Sequence, residues 1–182
     1  TFSTNKVLSP SVVLSRDRAR KGSAVGVVAN SGCANCCVGP QGLTDAEEMA
    51  ALAASHMGVD AGEMLVASTG MIGVELPMAL IRQNIGNIAA TSDGGHDFAR
   101  AIMTTDTRPK EIAVSLDLDG HKVAVGGAAK GVGMIHPNMA TMLCFMTTDA
   151  AVDPGFLKTS LSQAVDASFN MIDVDGDQST ND

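Results

Sequence analysis

Residues 111–127, EIAVSLDLDGHKVAVGG, place Asp119-Gly120 between two runs in which apolar side chains alternate with polar or small ones. Such a dipeptide is the strongest short-range hairpin signal. A two-residue turn of the right twist needs positive φ at both central positions, and glycine takes it without a Cβ clash. Antiparallel pairing is therefore required. Residues 23–30, SAVGVVAN, and 141–148, TMLCFMTT, read as buried strands, and 63–68, EMLVAS, as a further strand. Helices are predicted between them. Thr44 stands three residues before Glu47 as in a capping box, Ala46, Met49, Ala50, Ala53 and Met57 follow at helical spacing, and Gly58 supplies the stop. Residues 76–90 read as a second helix with Pro77 in its first turn, and 96–103 as a shorter one. Asp153-Pro154 opens a last helix with Leu157, Leu161, Val165 and Phe169 on its apolar side. STGMIG, 68–73, reads as a loop. With no internal repeat, low-complexity run or linker, the expected class is α/β (α+β), with mixed, partly antiparallel sheets flanked by helices.

A chain of 182 residues, 45% of them hydrophobic, can bury one sizeable core. Trp and Tyr are absent and only five Phe occur, so that core must be built from aliphatic side chains and the eleven Met. A net charge of −8 repels phosphate backbones and anionic bilayers, so neither a nucleic-acid nor a membrane partner is expected, and a small polar ligand fits better. No run of about 20 apolar residues and no signal-peptide pattern is present, and four clustered cysteines do not make a disulfide framework. A soluble protein of the cytoplasm with reduced thiols is expected. The abrupt opening at TFSTNKV and stop at STND read as a fragment at both ends.

Several motifs have bland readings that win. Cys33-x-x-Cys36 has no second ligand pair and reads as small buried thiols. DVDGDQSTND, 173–182, has acids at the first, third and fifth places of a calcium loop but glycine at the wrong place and no closing Glu. GGAAKGVG, 126–133, matches neither a Walker loop nor a dinucleotide loop, and reads as a flexible exit from a strand. His136 reads as a partly exposed polar residue. The threonines of STG (68–70), TTD (104–106) and TTD (147–149) are each ordinary strand or turn residues when taken alone. Together with Lys130 and Ala140-Thr141 they suggest acyl-transfer machinery: a hydroxyl nucleophile, oxyanion donors and a cation.

NSGCAN (30–35), STGMIG (68–73), AIMTTDTRPK (101–110), GGAAKGVGMIHPNMATML (126–143) and SFNMIDVDGDQSTND (168–182) resemble, in order, the signature segments of the ornithine acetyltransferase family, the glutamate N-acetyltransferases of the cyclic arginine pathway. Cys36-Cys37, Val132 and His136 depart from the pattern, and none carries transferred chemistry. The resemblance implies the self-processing, DmpA/ArgJ-like fold of that family. It implies a precursor that cuts itself between Ala140 and Thr141, so that residues 1–140 belong to an α-chain and 141–182 begin a β-chain truncated here. Thr141 is then the catalytic nucleophile, Thr69 and Gly70 form the oxyanion hole, and Thr104, Lys130 and Thr141 bind substrate. No cofactor and no metal is implied. The implied partners are N-acetylornithine, glutamate and the chain's own β-chain, in a heterotetramer or higher homo-assembly. The family's remaining contacts, a Glu, an Asn and a Thr or Ser, lie in a later segment.

The chemistry can be followed without the family. Thr141 Oγ1 can attack the preceding carbonyl through a five-membered ring, giving an ester that water opens, provided a strained loop holds the peptide; Gly131 and Gly133 allow such a shape. The freed α-amine, with an ordinary pKa of about 7.7–8.0 against about 10.4 for lysine, can activate its own hydroxyl near neutral pH. Acetyl would pass from N-acetylornithine to Thr141 and then to glutamate, with acetyl-CoA left open as a further donor. Two other readings stand beside this one: a self-processing amidohydrolase or aminopeptidase of related architecture, and a non-catalytic, uncleaved fragment.

Overall fold

The Asp119-Gly120 turn forms as expected. In a computed structural model that describes residues 1–136 and 142–181, Asp119 has φ 54° and Gly120 φ 83°, joining strands that pair from Leu118 opposite His121 to Lys110 opposite Ala129. In chain order the elements are α1 (Pro10–Ala19), β1 (Gly26–Cys33), α2 (Gln41–Met57), β2 (Met64–Met71), α3 (Met78–Asn84), α4 (Gly95–Ala101), β3 (Lys110–Leu118), β4 (His121–Lys130), β5 (Leu143–Thr148) and α5 (Pro154–Asp166). Short 3-10 turns follow α3 and α5 and precede β2. β1 and β2 pair in parallel; β3, β4 and β5 form a separate antiparallel sheet in that order. The mixed α/β class with partly antiparallel sheets is what the sequence led one to expect. Among the described residues no helix is long and apolar enough to cross a membrane.

The core lies between α2 and the β1–β2 sheet. Ala46, Met49, Ala50, Ala53 and Ala54 of α2 pack with Met64 and Val66 of β2 and with Leu76, Met78 and Ile85, an aliphatic and Met-rich cluster without aromatic rings. Gly58, at φ 68°, ends α2 in the left-handed conformation expected of it, whereas Met57 is half exposed. The capping box is not built. The helix starts four residues earlier, with Pro40 rather than Thr44 at its N-cap, and Thr44 lies exposed inside it.

α1 was not legible from periodicity, because the face it buries is serine. Ser9 caps it through the Val12 N–H, Pro10 follows, and its buried residues are Ser11, Val12 and Ser15. Ser15 Oγ donates to the Val66 carbonyl at 2.6 Å and accepts from the Val66 N–H at 2.7 Å. A hydroxyl thus serves both backbone groups that β2 turns away from β1, which an apolar side chain could not do.

Other boundaries moved. STGMIG is not a loop: β2 continues to Met71, with Ser31, Gly32 and Cys33 of β1 opposite Thr69, Gly70 and Met71. The helix expected over 76–90 is seven residues long before a 3-10 turn at Ile85–Asn87. β5 is mostly exposed, with only Leu143 buried. Asp153 caps α5 through the Phe156 N–H as expected, but Leu157 is exposed and Phe169 falls beyond the helix. Of the thiols, Cys36 is buried, Cys33 intermediate, and Cys37 and Cys144 exposed.

Part of one face of the antiparallel sheet is covered by α4. Phe98 of α4 meets Phe145 of β5 edge-on, ring centroids 5.0 Å apart. By register, the opposite face carries Ile112, Val114, Leu116, Val123, Val125 and Met146. Ile112 is 71% exposed and Met146 56%.

Candidate active site

The parallel strands β1 and β2 end at one place with glycines side by side. Gly32 and Gly70 are register partners, with φ 111° and 134°. A Cβ on Gly70 would stand 2.2 Å from the Gly32 carbonyl carbon, so no other residue fits. This close approach leaves Gly70 exposed at the strand end and turns Thr69 inward, at 4% exposure.

The end of β4 brings Lys130 to the same spot. Its side chain is buried, at 3% exposure, and Nζ donates to Thr69 Oγ1 at 3.0 Å and to Thr104 Oγ1 at 2.8 Å. Three segments far apart in sequence therefore meet on one ammonium. A threonine hydroxyl that accepts from a cation keeps its own proton for another acceptor. Thr69 is thus set up as a donor, and Lys130 makes it a better one by polarising the oxygen.

Asp106 supports this arrangement and was not singled out by the sequence. Its carboxylate accepts from the Gly131 N–H at 2.8 Å and the Thr104 N–H at 3.3 Å, and pairs with Lys110. Burial alone would raise its pKa, yet the Gly131 N–H, the Lys110 ammonium and the Thr104 N–H together hold it below the ordinary carboxylate value. One buried carboxylate thereby ties the backbone at Thr104 to the backbone just after Lys130. The signal available was Asp106 and Lys110 four apart within TTDTRPK.

Thr69, Gly70, Thr104 and Lys130 line an open cleft of about 710 Å³, together with Met134 and Asp175. The structure brings together Thr69, Gly70, Thr104 and Lys130 from the sequence-derived set. Ala140 and Thr141 lie outside the described residues. On their far side Leu143 is the register partner of Lys130, so the chain rejoins the sheet beside the cleft's ammonium. A second hollow of about 500 Å³, between α4 and the antiparallel sheet, holds none of these residues. No group of three or more metal-ligating side chains occurs among the described residues. Within the calcium-like segment, Asp173 and Asp175 accept backbone N–H groups of Gly176, Met134 and Ile135 rather than converging on one point.

Two sheets of opposite pairing, with a lysine–threonine cluster in the cleft where their strand ends meet, define the class. The comparisons then name it. The chain matches the ArgJ family over residues 1–182. It is 56% identical over 183 residues to the arginine biosynthesis bifunctional protein ArgJ of Symbiobacterium thermophilum, covering 100% of this chain and 46% of that protein. To the protein of the same name from Dehalococcoides mccartyi it is 50% identical over 181 residues, covering 100% and 45%. Among solved structures, the arginine biosynthesis bifunctional protein argJ of Bacillus halodurans matches with a TM-score of 0.71 at 38% identity, covering 78% of this chain and 74% of that one. The ornithine acetyltransferase of Mycobacterium tuberculosis, complexed with ornithine, matches with a TM-score of 0.68 at 33% identity, covering 78% and 75%. This chain belongs to the ArgJ family. It spans a little under half the length of the curated relatives it matches.

Proposed function

We propose that the protein to which this chain belongs moves an acetyl group from N-acetylornithine to glutamate in arginine biosynthesis, through an acetyl-threonine formed on Thr141 after self-cleavage at Ala140-Thr141. In the first half-reaction Thr141 Oγ1 adds to the acetyl carbonyl, its proton passes to the α-amine of Thr141, and that proton leaves with ornithine's nitrogen as the amide C–N bond breaks. In the second, the glutamate amine attacks the ester, releasing N-acetylglutamate and restoring the hydroxyl. Thr69 O–H and the Gly70 backbone N–H serve the oxyanion of each tetrahedral intermediate. Thr104 and Lys130 bind substrate, the ammonium suiting a carboxylate.

The observation that carries this reading is the buried Lys130 joined to both Thr69 and Thr104, three residues assigned to one site by family resemblance and separated by dozens of positions in sequence. The names of the relatives support the pathway, and the ornithine complex supports the ligand class. The chain's own β-chain, beginning at Thr141, is the proposed partner after cleavage, within a heterotetrameric assembly in the cytoplasm. The relatives hold more than half their length outside the matched stretch, and the bare face at Ile112, Val114 and Met146 is apolar area for such a segment to cover.

Product analysis tests the chemistry. Purified complete protein with N-acetylornithine and glutamate is expected to yield ornithine and N-acetylglutamate in equal amounts, with acetyl-CoA run as a second donor. Free acetate in place of N-acetylglutamate would instead show a hydrolase.

A further inference from the structure

The segment that follows the proposed cut grips the segment that precedes it. Asp175 reaches back to residues 131–136: its Oδ2 accepts from the Met134 N–H at 2.6 Å and its Oδ1 from the Ile135 N–H at 3.0 Å. The grip is returned, since the Val174 N–H donates to the Ile135 carbonyl at 2.8 Å and His136 Nδ1 lies 3.2 Å from Asp173 Oδ2. Ile135 itself is buried, at 6% exposure. The Met134 N–H, and less strongly the Ile135 N–H, hold the Asp175 carboxyl below its ordinary pKa.

Local backbone fits the grip and is costly without it. Met134 has φ 56°, a left-handed conformation that a non-glycine residue adopts only when something holds it there. Gly133 leaves room for the approach: a Cβ there would lie 3.3 Å from Asp175 Oδ2, so the carboxylate would have to shift by a few tenths of an ångström. On the other side the turn is preformed: Gly176, at φ 74°, donates its N–H to Asp173 Oδ1 at 3.0 Å. With Asp106 fixing Gly131, the connection leaving Lys130 is held by carboxylates at both ends, one from each side of the proposed cut.

We infer that Asp175 is a positioning residue for self-cleavage: held on the far side of the cut, its carboxylate fixes the backbone N–H groups of Met134 and Ile135 and so sets where the chain leaves the cleft wall toward the Ala140-Thr141 junction. This rests on the Thr141 reading above. An intramolecular attack through a five-membered ring depends steeply on placement, and an error of about 1 Å can cost about 10²-fold in rate.

The test uses the complete protein, purified before splitting has finished, as wild type, Asp175→Asn and Asp175→Ala. Splitting is followed by intact mass against time, the Met134 and Ile135 amides by hydrogen exchange, and global stability by thermal unfolding. Splitting is expected to slow in the order Asp, Asn, Ala, by about 10²-fold in the last, because Asn keeps one acceptor oxygen. Exchange protection is expected to fall at Met134 and Ile135 and to persist in the core of α2 and β2. A merely structural role would lower the melting temperature and open amides throughout. Asp175→Ala that splits at the wild-type rate, or retains protection at both amides, overturns the inference while leaving the Thr141 nucleophile standing. A wild type that never splits overturns the Thr141 reading first and the positioning role with it.

Discussion

A hydroxyl that receives a hydrogen bond from a buried ammonium has one proton left to give, and Thr69 is in that position. Thr69→Val keeps the shape and removes the donor. Acetyl transfer is therefore expected to fall by about 10²–10³ in kcat with a much smaller change in KM, measured in steady state on the complete protein. A drop in affinity alone would make Thr69 a binding residue instead. Asp106 makes a different prediction. Its folded pKa lies below the ordinary 3.8, so the stability it contributes is present above that value and is lost as pH falls through the folded pKa. Asp106→Asn is expected to lower the melting temperature at pH 6 and to flatten its fall below about pH 4; parallel wild-type and variant curves would contradict this. Thr69, Gly70, Thr104 and Lys130 were legible because their motifs carry the resemblance. Asp106 and Asp175 stand in such motifs too, but the resemblance assigns them no role, and most of what they bond is backbone N–H, which leaves no mark in a sequence. Taken by its spacing alone, Asp175 reads as a member of a failed calcium loop.

Elements with ordinary driving forces could be read, and elements built on polar contact could not. The hairpin followed from alternation and Asp119-Gly120, and the buried stripe of α2 from its spacing. α1 was missed because it docks through Ser11 and Ser15, with Ser11 Oγ 2.7 Å from Ser68 Oγ. Ser15→Ala strips both bonds to Val66 and leaves its buried N–H and C=O without them. A loss of about 2–6 kcal/mol is expected, from about 1–3 for each of the two unsatisfied groups, read by denaturant unfolding; a change within 0.5 kcal/mol, roughly the range of ordinary surface substitutions, would mean water replaces the hydroxyl. STGMIG reads as a loop in sequence because glycine weakens a strand pattern. Here the missing Cβ is what lets β1 and β2 approach at Gly32 and Gly70 and places Thr69 at the cleft.

Across the whole molecule, large aliphatic side chains stay exposed on the antiparallel sheet, whereas those between α2 and β2 are buried. Ile112, Val114, Leu116 and Met146 lie exposed together on one face of that sheet, and sequence alternation foretold the strands without saying whether anything would cover them. In the complete protein, Ile112→Lys with Val114→Lys is expected to shift size-exclusion elution toward separated chains or aggregates. Unchanged elution would show that the face meets solvent in the assembly.

The C-terminal stretch is tied down more firmly. Asn181 Nδ2 donates to the Ser68 carbonyl at 2.7 Å and also to Ala34, and the Ser9 N–H donates to the Thr180 carbonyl at 2.9 Å. A cut at Ala140-Thr141 would leave the two pieces held by these bonds as well as by β4–β5 pairing. The most direct measurement is intact mass of the complete protein with and without N-acetylornithine. The account predicts two chains divided at Ala140-Thr141, with one acetyl group gained by the chain that begins at Thr141 and discharged on adding glutamate. A single undivided polypeptide that transfers acetyl at full rate would contradict it.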